Sequence, residues 1–109
     1  AHHEHDEYLA GVAAGHLARI ELAANRRDSA RAYLVRAETH FTAAGSMTGG
    51  PGAAHQLAKL AAEDGDIASA KDWLRRGLEQ LAKFPHGGRG VREMRQKLEA
   101  FEAQLGAGS

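Results

Sequence analysis

The sequence predicts an all-α protein made of two similar antiparallel helical hairpins and a fifth, C-terminal helix. Apolar residues recur at three- and four-residue steps through five segments, which is the period of an amphipathic helix. The segment from Leu17 to Ala44 recurs without a gap 40 residues later, from Leu57 to Phe84. The composition is rich in alanine, with 6% aromatic residues, and suits closely packed helices because Ala has the highest helix propensity. An up-and-down bundle of four or five helices is the alternative packing.

The first hairpin is predicted over residues 7–44, after a polar, His-rich tail at residues 1–6. Its first helix is expected to turn one apolar set inward: Leu9, Val12, Ala13, Leu17, Ile20 and Ala24. The chain turns at residues 25–28, where Asp28 is expected to cap the second helix through its carboxylate. The second helix turns its own apolar set inward: Ala30, Tyr33, Leu34, Ala37, Phe41 and Ala44.

A glycine-rich linker at residues 45–52 leads to the second hairpin, which is predicted over residues 53–84. Gly65 is expected to supply a left-handed residue after the third helix, and Asp66 to cap the fourth. A second helix-breaking segment follows at residues 85–90. The last helix, residues 90–105, carries a narrow apolar seam on a charged surface, which is typical of a helix that covers the end of a helical stack. All five helices are assigned to a single domain, residues 1–109.

The second copy of the repeat resembles a tetratricopeptide repeat. The spacing of small and large residues carries this resemblance: Leu57-Ala58, Ala61, Gly65, Ile67, Ala70, Leu74 and Gly77. The first copy is similar in fewer positions and has Asn25 where the family has Gly. Its 40-residue offset exceeds the family period of about 34, and the excess lies in the linker. The resemblance implies stacked antiparallel hairpins and a role in holding a protein partner.

Composition and motifs argue against several function classes. Basic and acidic residues balance at 14 each, whereas nucleic acids and anionic membranes demand clustered positive charge. The absence of cysteine excludes disulfides, thiolate zinc sites and cysteine nucleophiles. No run approaches the roughly 18 apolar residues that cross a bilayer. No catalytic motif is visible, so the leading hypothesis is a non-catalytic module for protein–protein interaction that needs no cofactor. It is expected to hold a protein partner in the groove between the hairpins or at the exposed edge of the fifth helix.

The N-terminus suggests an alternative function in binding Cu(II), Ni(II) or Zn(II). If Ala1 carries a free amine, that amine, two backbone nitrogens and the His3 imidazole can bind Cu(II) or Ni(II) in a square plane. His2 and His5 add further ligands, and His16 and His40 are weaker candidates.

The histidines also bear on where the protein resides. They give the chain a weaker similarity to small His-bearing helical metal-binding proteins of the bacterial periplasm. Small residues such as Ala1 flank signal-peptide cleavage sites, and a cluster of histidines that can bind metal comes directly after Ala1. A periplasmic or secreted location is therefore predicted, with the cytoplasm as the alternative.

Overall fold

The computed structural model describes the backbone of residues 2–107 and the side chains of residues 3–106. This part of the chain is helical apart from its turns, which confirms the all-α prediction. There are five helices in it: α1 His2–Ala23, α2 Arg27–Ala43, α3 Gly49–Glu63, α4 Ile67–Leu81 and α5 Gly88–Ala107. No helix within residues 2–107 is both long and apolar enough to span a membrane.

The helices pack in chain order, as two hairpins stacked side by side. Helices α1 and α2 form hairpin 1, α3 and α4 form hairpin 2, and α2 packs against α3 between them. The molecule measures 44 × 35 × 18 Å, and its short dimension equals about two helix layers, since packed helix axes lie 8–10 Å apart. Between residues 2 and 107, α1 and α4 share at most a marginal contact, so the hairpins form a row and not a closed ring.

The two hairpins repeat each other in backbone conformation. Their first helices end at Ala23 and Glu63, 40 residues apart, and their second helices begin at Arg27 and Ile67. Each turn contains one left-handed residue, Asn25 (φ 61°) in hairpin 1 and Gly65 (φ 83°) in hairpin 2. Asn tolerates this conformation better than other non-glycine residues, which explains why it can replace Gly there.

Helix capping follows the sequence prediction in hairpin 2 but not in hairpin 1. Asp66 accepts a hydrogen bond from the backbone N–H of Ser69 at 3.1 Å, as an N-cap side chain should. In hairpin 1 the N-cap position is held by Arg26, which has no capping side-chain bond. Asp28, predicted to be that cap, lies within the first turn and pairs with Arg31 instead, at 3.0 Å.

Two segments predicted to be irregular are partly helical. Helix α1 begins at His2, so residues 2–6 are its first turns and not a tail; Glu4 there suits the positive end of the helix dipole. Helix α3 begins at Gly49, inside the predicted linker, because the hydroxyl of Ser46 accepts the Gly49 N–H at 2.9 Å. Helix α5 extends the predicted last helix by two residues at each end.

The buried face of α1 differs from the predicted one. Leu9, Leu17 and Ile20, predicted to point inward, are exposed by 51%, 41% and 58%. The helix instead packs through a face of small residues, Gly11, Ala14 and Ala18, together with the larger Leu22. Small residues let the neighbouring helices approach closely. Apolar residues lie on several sides of α1, so its periodicity could not select one face.

Helix α5 covers the open side of hairpin 2 as the sequence predicts. Its apolar seam packs into the largest core cluster, with Val91 and Leu98 fully buried beside Leu74 and Leu81. The opposite surface of α5 is exposed and mostly charged or polar: Arg92, Glu93, Gln96, Glu99 and Glu102. The C-terminal end of the stack is therefore closed by a hydrophilic surface.

Candidate interaction groove

A groove of about 390 Å³ runs between hairpin 1 and the first helix of hairpin 2. Helices α1 and α3 form its walls and α2 forms its floor, where Leu34, Ala37 and Phe41 lie. The volume falls within the usual range of ligand pockets, about 300–1,000 Å³, and the lining is mainly apolar as in such pockets. The groove lies between the hairpins, which is one of the two places where the sequence predicts that a partner binds.

Glycines in the walls make room for the Phe41 ring and leave the groove open beside Gly15. A Cβ added at Gly11 would lie 2.8 Å from the Phe41 ring, and one at Gly49 would lie 2.6 Å from it. The ring of Phe41 is thus held between two helix backbones that have no side chains there. Gly15, one turn after Gly11, also lines the groove, and a Cβ added there would have no neighbouring atom within 4 Å. Its side of the wall therefore faces open space.

The charge of the lining has one sign. Its ionisable residues are His16 and Arg19, both exposed on α1, and no Asp or Glu lines the groove within residues 3–106. Polar but uncharged Thr48 and Gln56 lie on the α3 side. An apolar channel with a cationic edge favours a ligand that combines apolar side chains with a carboxylate.

An ion pair between the two hairpins has a buried carboxylate and a partly exposed guanidinium. Glu38 of α2 is 1% exposed and receives hydrogen bonds from the guanidinium of Arg76, at 2.9 and 3.0 Å. The Gln80 amide and the Thr42 hydroxyl donate to the same carboxylate, at 2.6 and 3.3 Å. The Glu38 carboxylate is therefore satisfied, as burial of a charge requires.

A second set of ion pairs joins the turn ends of the hairpins. Arg27 donates to Glu63 and Asp64, at 3.1 and 2.9 Å, and Arg31 pairs with the same Asp64. These bonds raise the pKa of Arg27, through Glu63 first and Asp64 second. All four side chains are at least one-third exposed, so each pair adds little to stability on its own. Together with Glu38–Arg76, they join α2, the floor of the groove, to hairpin 2.

The predicted metal ligands are dispersed. His3 and His5 are exposed in the first turns of α1, and His16 is exposed at the groove edge. His40 lies with Nδ1 2.7 Å from Glu7 Oε2, which ties the end of α2 to the start of α1. Across residues 3–106, no group of three or more His, Asp or Glu side chains is arranged to hold a metal ion. Ala1 and the side chain of His2 lie outside the described residues, and the site that includes them stays a prediction.

Comparison with known proteins adds no family to these observations. No protein-family model, no curated protein and no solved structure matches the chain. The similarity to tetratricopeptide repeats therefore stays a prediction, and function has to be argued from the geometry of this chain.

Sequence reasoning missed two features of this region, although the repeat contained a signal for one. Glu38 aligns with Leu78, so a charged residue occupies an apolar repeat position, and its partner is in the other hairpin. The groove was expected only in general terms. The signal for its walls is the pair Gly11 and Gly15, one turn apart in a helix interior, where Gly is otherwise unfavourable.

Proposed function

We propose that this protein is a non-catalytic helical-repeat binding module that holds a segment of a protein partner in the groove between its hairpins. The observation that carries the proposal is the apolar groove itself, opened by Gly15 and lined without any carboxylate among residues 3–106. The resemblance of the hairpins to tetratricopeptide repeats supports the same function. The stacked architecture is a scaffold for it, because stacked helical hairpins create extended concave surfaces.

The groove favours a particular kind of segment. Leu34, Ala37 and Phe41 on its floor would contact apolar side chains, and burial of such side chains supplies the main affinity. Arg19 and His16 at the edge would select an acidic side chain beside the apolar anchors. The expected ligand is therefore a short peptide segment that joins two or three apolar residues to an Asp or Glu.

The test is a selection followed by a measurement of affinity. A displayed library of random peptides is selected on the full chain, and dissociation constants of enriched peptides are measured by fluorescence anisotropy. Gly15→Leu fills the groove from a position where an added Cβ meets no other atom, so binding should weaken at least tenfold. Gly106→Leu is the matched control, since Gly106 is also helical and an added Cβ there also has no neighbouring atom within 4 Å, but it lies at the end of α5.

Circular dichroism of both variants should show unchanged helix content. The proposal fails if no peptide is enriched, or if enriched peptides bind the Gly15→Leu variant as tightly as they bind the parent.

A further inference from the structure

Helix α1 exposes an apolar stripe on the side opposite its packed face. Leu9, Leu17 and Ile20 are each about half exposed, and exposed Ala13 lies between them. At 100° per residue these four side chains fall within an arc of about 80°. Such a stripe on a helix normally packs against another element. Four of the six large apolar residues that are exposed in residues 3–106 belong to this one helix: Tyr8, Leu9, Leu17 and Ile20.

The repeat shows which kind of surface this stripe is. Forty residues later, Ala53, Leu57 and Leu60 of α3 are the counterparts of Ala13, Leu17 and Ile20. These three are buried, with exposures of 7%, 1% and 4%, because they pack against hairpin 1. Helix α1 therefore presents the surface by which α3 stacks on the preceding hairpin.

The polar contact of that stacking interface is repeated as well. Arg76 lies over the Trp73 ring at 5.5 Å and from there reaches Glu38 of the preceding hairpin. Arg36, its counterpart in hairpin 1, lies over the Tyr33 ring at 5.6 Å. In residues 3–106, no carboxylate forms an ion pair with Arg36. Hairpin 1 thus carries both parts of a stacking interface, an apolar stripe and an arginine held by an aromatic ring.

We propose that the outer face of hairpin 1 docks a helical hairpin of a partner protein. We call this face the stacking face and define it by Ala13, Leu17, Ile20 and Arg36. The partner hairpin presents what hairpin 1 presents to hairpin 2, namely an apolar stripe and a carboxylate in the register of Glu38. This interaction is separate from the groove, because none of the four residues that define the stacking face lines the groove.

A second copy of the chain does not offer the complementary surface. The face of hairpin 1 that bears Leu34 and Glu38 is covered by hairpin 2. The corresponding face of hairpin 2 is covered by α5, whose own outer surface is charged or polar. A carboxylate that is presented on an apolar helix face would pair with Arg36, by analogy with the pair of Arg76 and Glu38. Charge complementarity thus specifies an acidic, apolar hairpin as the occupant.

In the test, a hairpin with these features is linked covalently to the chain, so that it can pack on the stacking face. Residues 9–48 are duplicated in tandem within the full chain, so that an added hairpin precedes a second copy in the natural 40-residue register. Leu9→Gly is introduced in the second copy, because Leu9 there takes the register of Gly49, where a Cβ would lie 2.6 Å from the Phe41 ring. The three-hairpin chain should unfold in one transition, with a higher Tm and a steeper urea dependence than the parent, because more surface is buried. Ile20→Lys should lower the Tm strongly in the second unit, where Ile20 is stacked, and little in the first unit, where it is exposed.

The ion pair provides an independent readout. A double-mutant cycle between Glu38→Gln in the first unit and Arg36→Ala in the second should show coupling comparable to that of Glu38 with Arg76 in the parent. The proposal is overturned if the added unit unfolds in a separate transition, or if Ile20→Lys has the same effect in both units.

Sedimentation velocity of the parent chain from micromolar to millimolar concentration completes the test. The parent should remain a monomer. A dimer that Ile20→Lys dissociates would make a second copy the occupant, and would overturn the assignment to a partner hairpin.

Discussion

Glu38 and Arg76 form an ion pair between helices that belong to different hairpins, and the two side chains differ in their exposure to solvent. The Glu38 carboxylate is 1% exposed, whereas the Arg76 side chain is 54% exposed. A guanidinium that loses its partner there can be hydrated, but a buried carboxylate cannot. Removal of Arg76 should therefore destabilise the protein more than removal of the charge of Glu38.

We expect Arg76→Ala to destabilise the protein by about 3 kcal/mol, because it leaves a buried carboxylate with only neutral donors. Glu38→Gln should lower the free energy of unfolding by less, since the guanidinium of Arg76 can then be hydrated. The double variant should be more stable than Arg76→Ala alone, because the uncompensated charge is gone. Urea unfolding at neutral pH measures all three.

Arg36→Ala is the matched control for the ion pair. Like Arg76→Ala, it removes an arginine that lies over an aromatic ring at the same repeat position. It leaves no buried carboxylate behind and should change the free energy of unfolding by less than about 0.5 kcal/mol. Equal losses for the two arginine variants would contradict a structural role for the charge pair.

Two glycines one turn apart in α1 should respond to alanine with opposite signs. Gly15→Ala should stabilise by about 0.5–1 kcal/mol, since the new methyl group meets open space and Ala favours the helix. Gly11→Ala should destabilise by about 1–3 kcal/mol, because its methyl group would overlap the Phe41 ring. The ring cannot move away from α1, since the backbone at Gly49 lies on its other side. Thermal unfolding followed by circular dichroism gives both signs, and stabilisation by Gly11→Ala would show that Phe41 is not confined.

His55 should make the protein less stable in mild acid. Burial lowers the pKa of His55 below its ordinary value of 6.5, and the charges of Lys59 and Lys97 lower it further. The ring packs edge-on against Phe101 of α5, with centroids 5.7 Å apart. As pH falls below about 6.5, the unfolded chain binds a proton that the folded chain resists, so the free energy of unfolding decreases.

The measurement for His55 is urea unfolding at several pH values between neutrality and mild acid. His55→Gln cannot take up the proton, and its stability should depend less on pH over this window than that of the parent. Identical pH dependence in the two chains would rule out His55 as the cause.

Much of the fold follows from local sequence. Asn25 and Gly65 end helices at repeat-equivalent positions because both residue types tolerate the left-handed conformation. The apolar seam of α5 packs as predicted, since only one face of that helix is apolar. The capping prediction succeeded at Asp66 and was wrong at Asp28, which lies two positions after the N-cap residue Arg26 and therefore inside the helix.

The candidate site was less accessible to sequence reasoning. Arg76 and Glu38 are far apart in sequence, and no local pattern identifies such a pair. The space of the groove depends on how close α1, α2 and α3 approach, which is decided by the packing of Phe41 between Gly11 and Gly49. A glycine inside a helix indicates that a side chain is absent for a structural reason. The sequence does not show whether an aromatic ring or solvent occupies the space that is left.

The sequence by itself determined where the helices lie and that they form a doubled hairpin, because helix periodicity, turn residues and the 40-residue repeat are local or directly comparable properties. Only the tertiary structure decided which face of α1 is buried. Apolar residues lie on several sides of that helix, so its pattern is compatible with either orientation. The close packing of α1 on α2 selects the small residues of α1 for the inside and leaves Leu9, Leu17 and Ile20 on the surface.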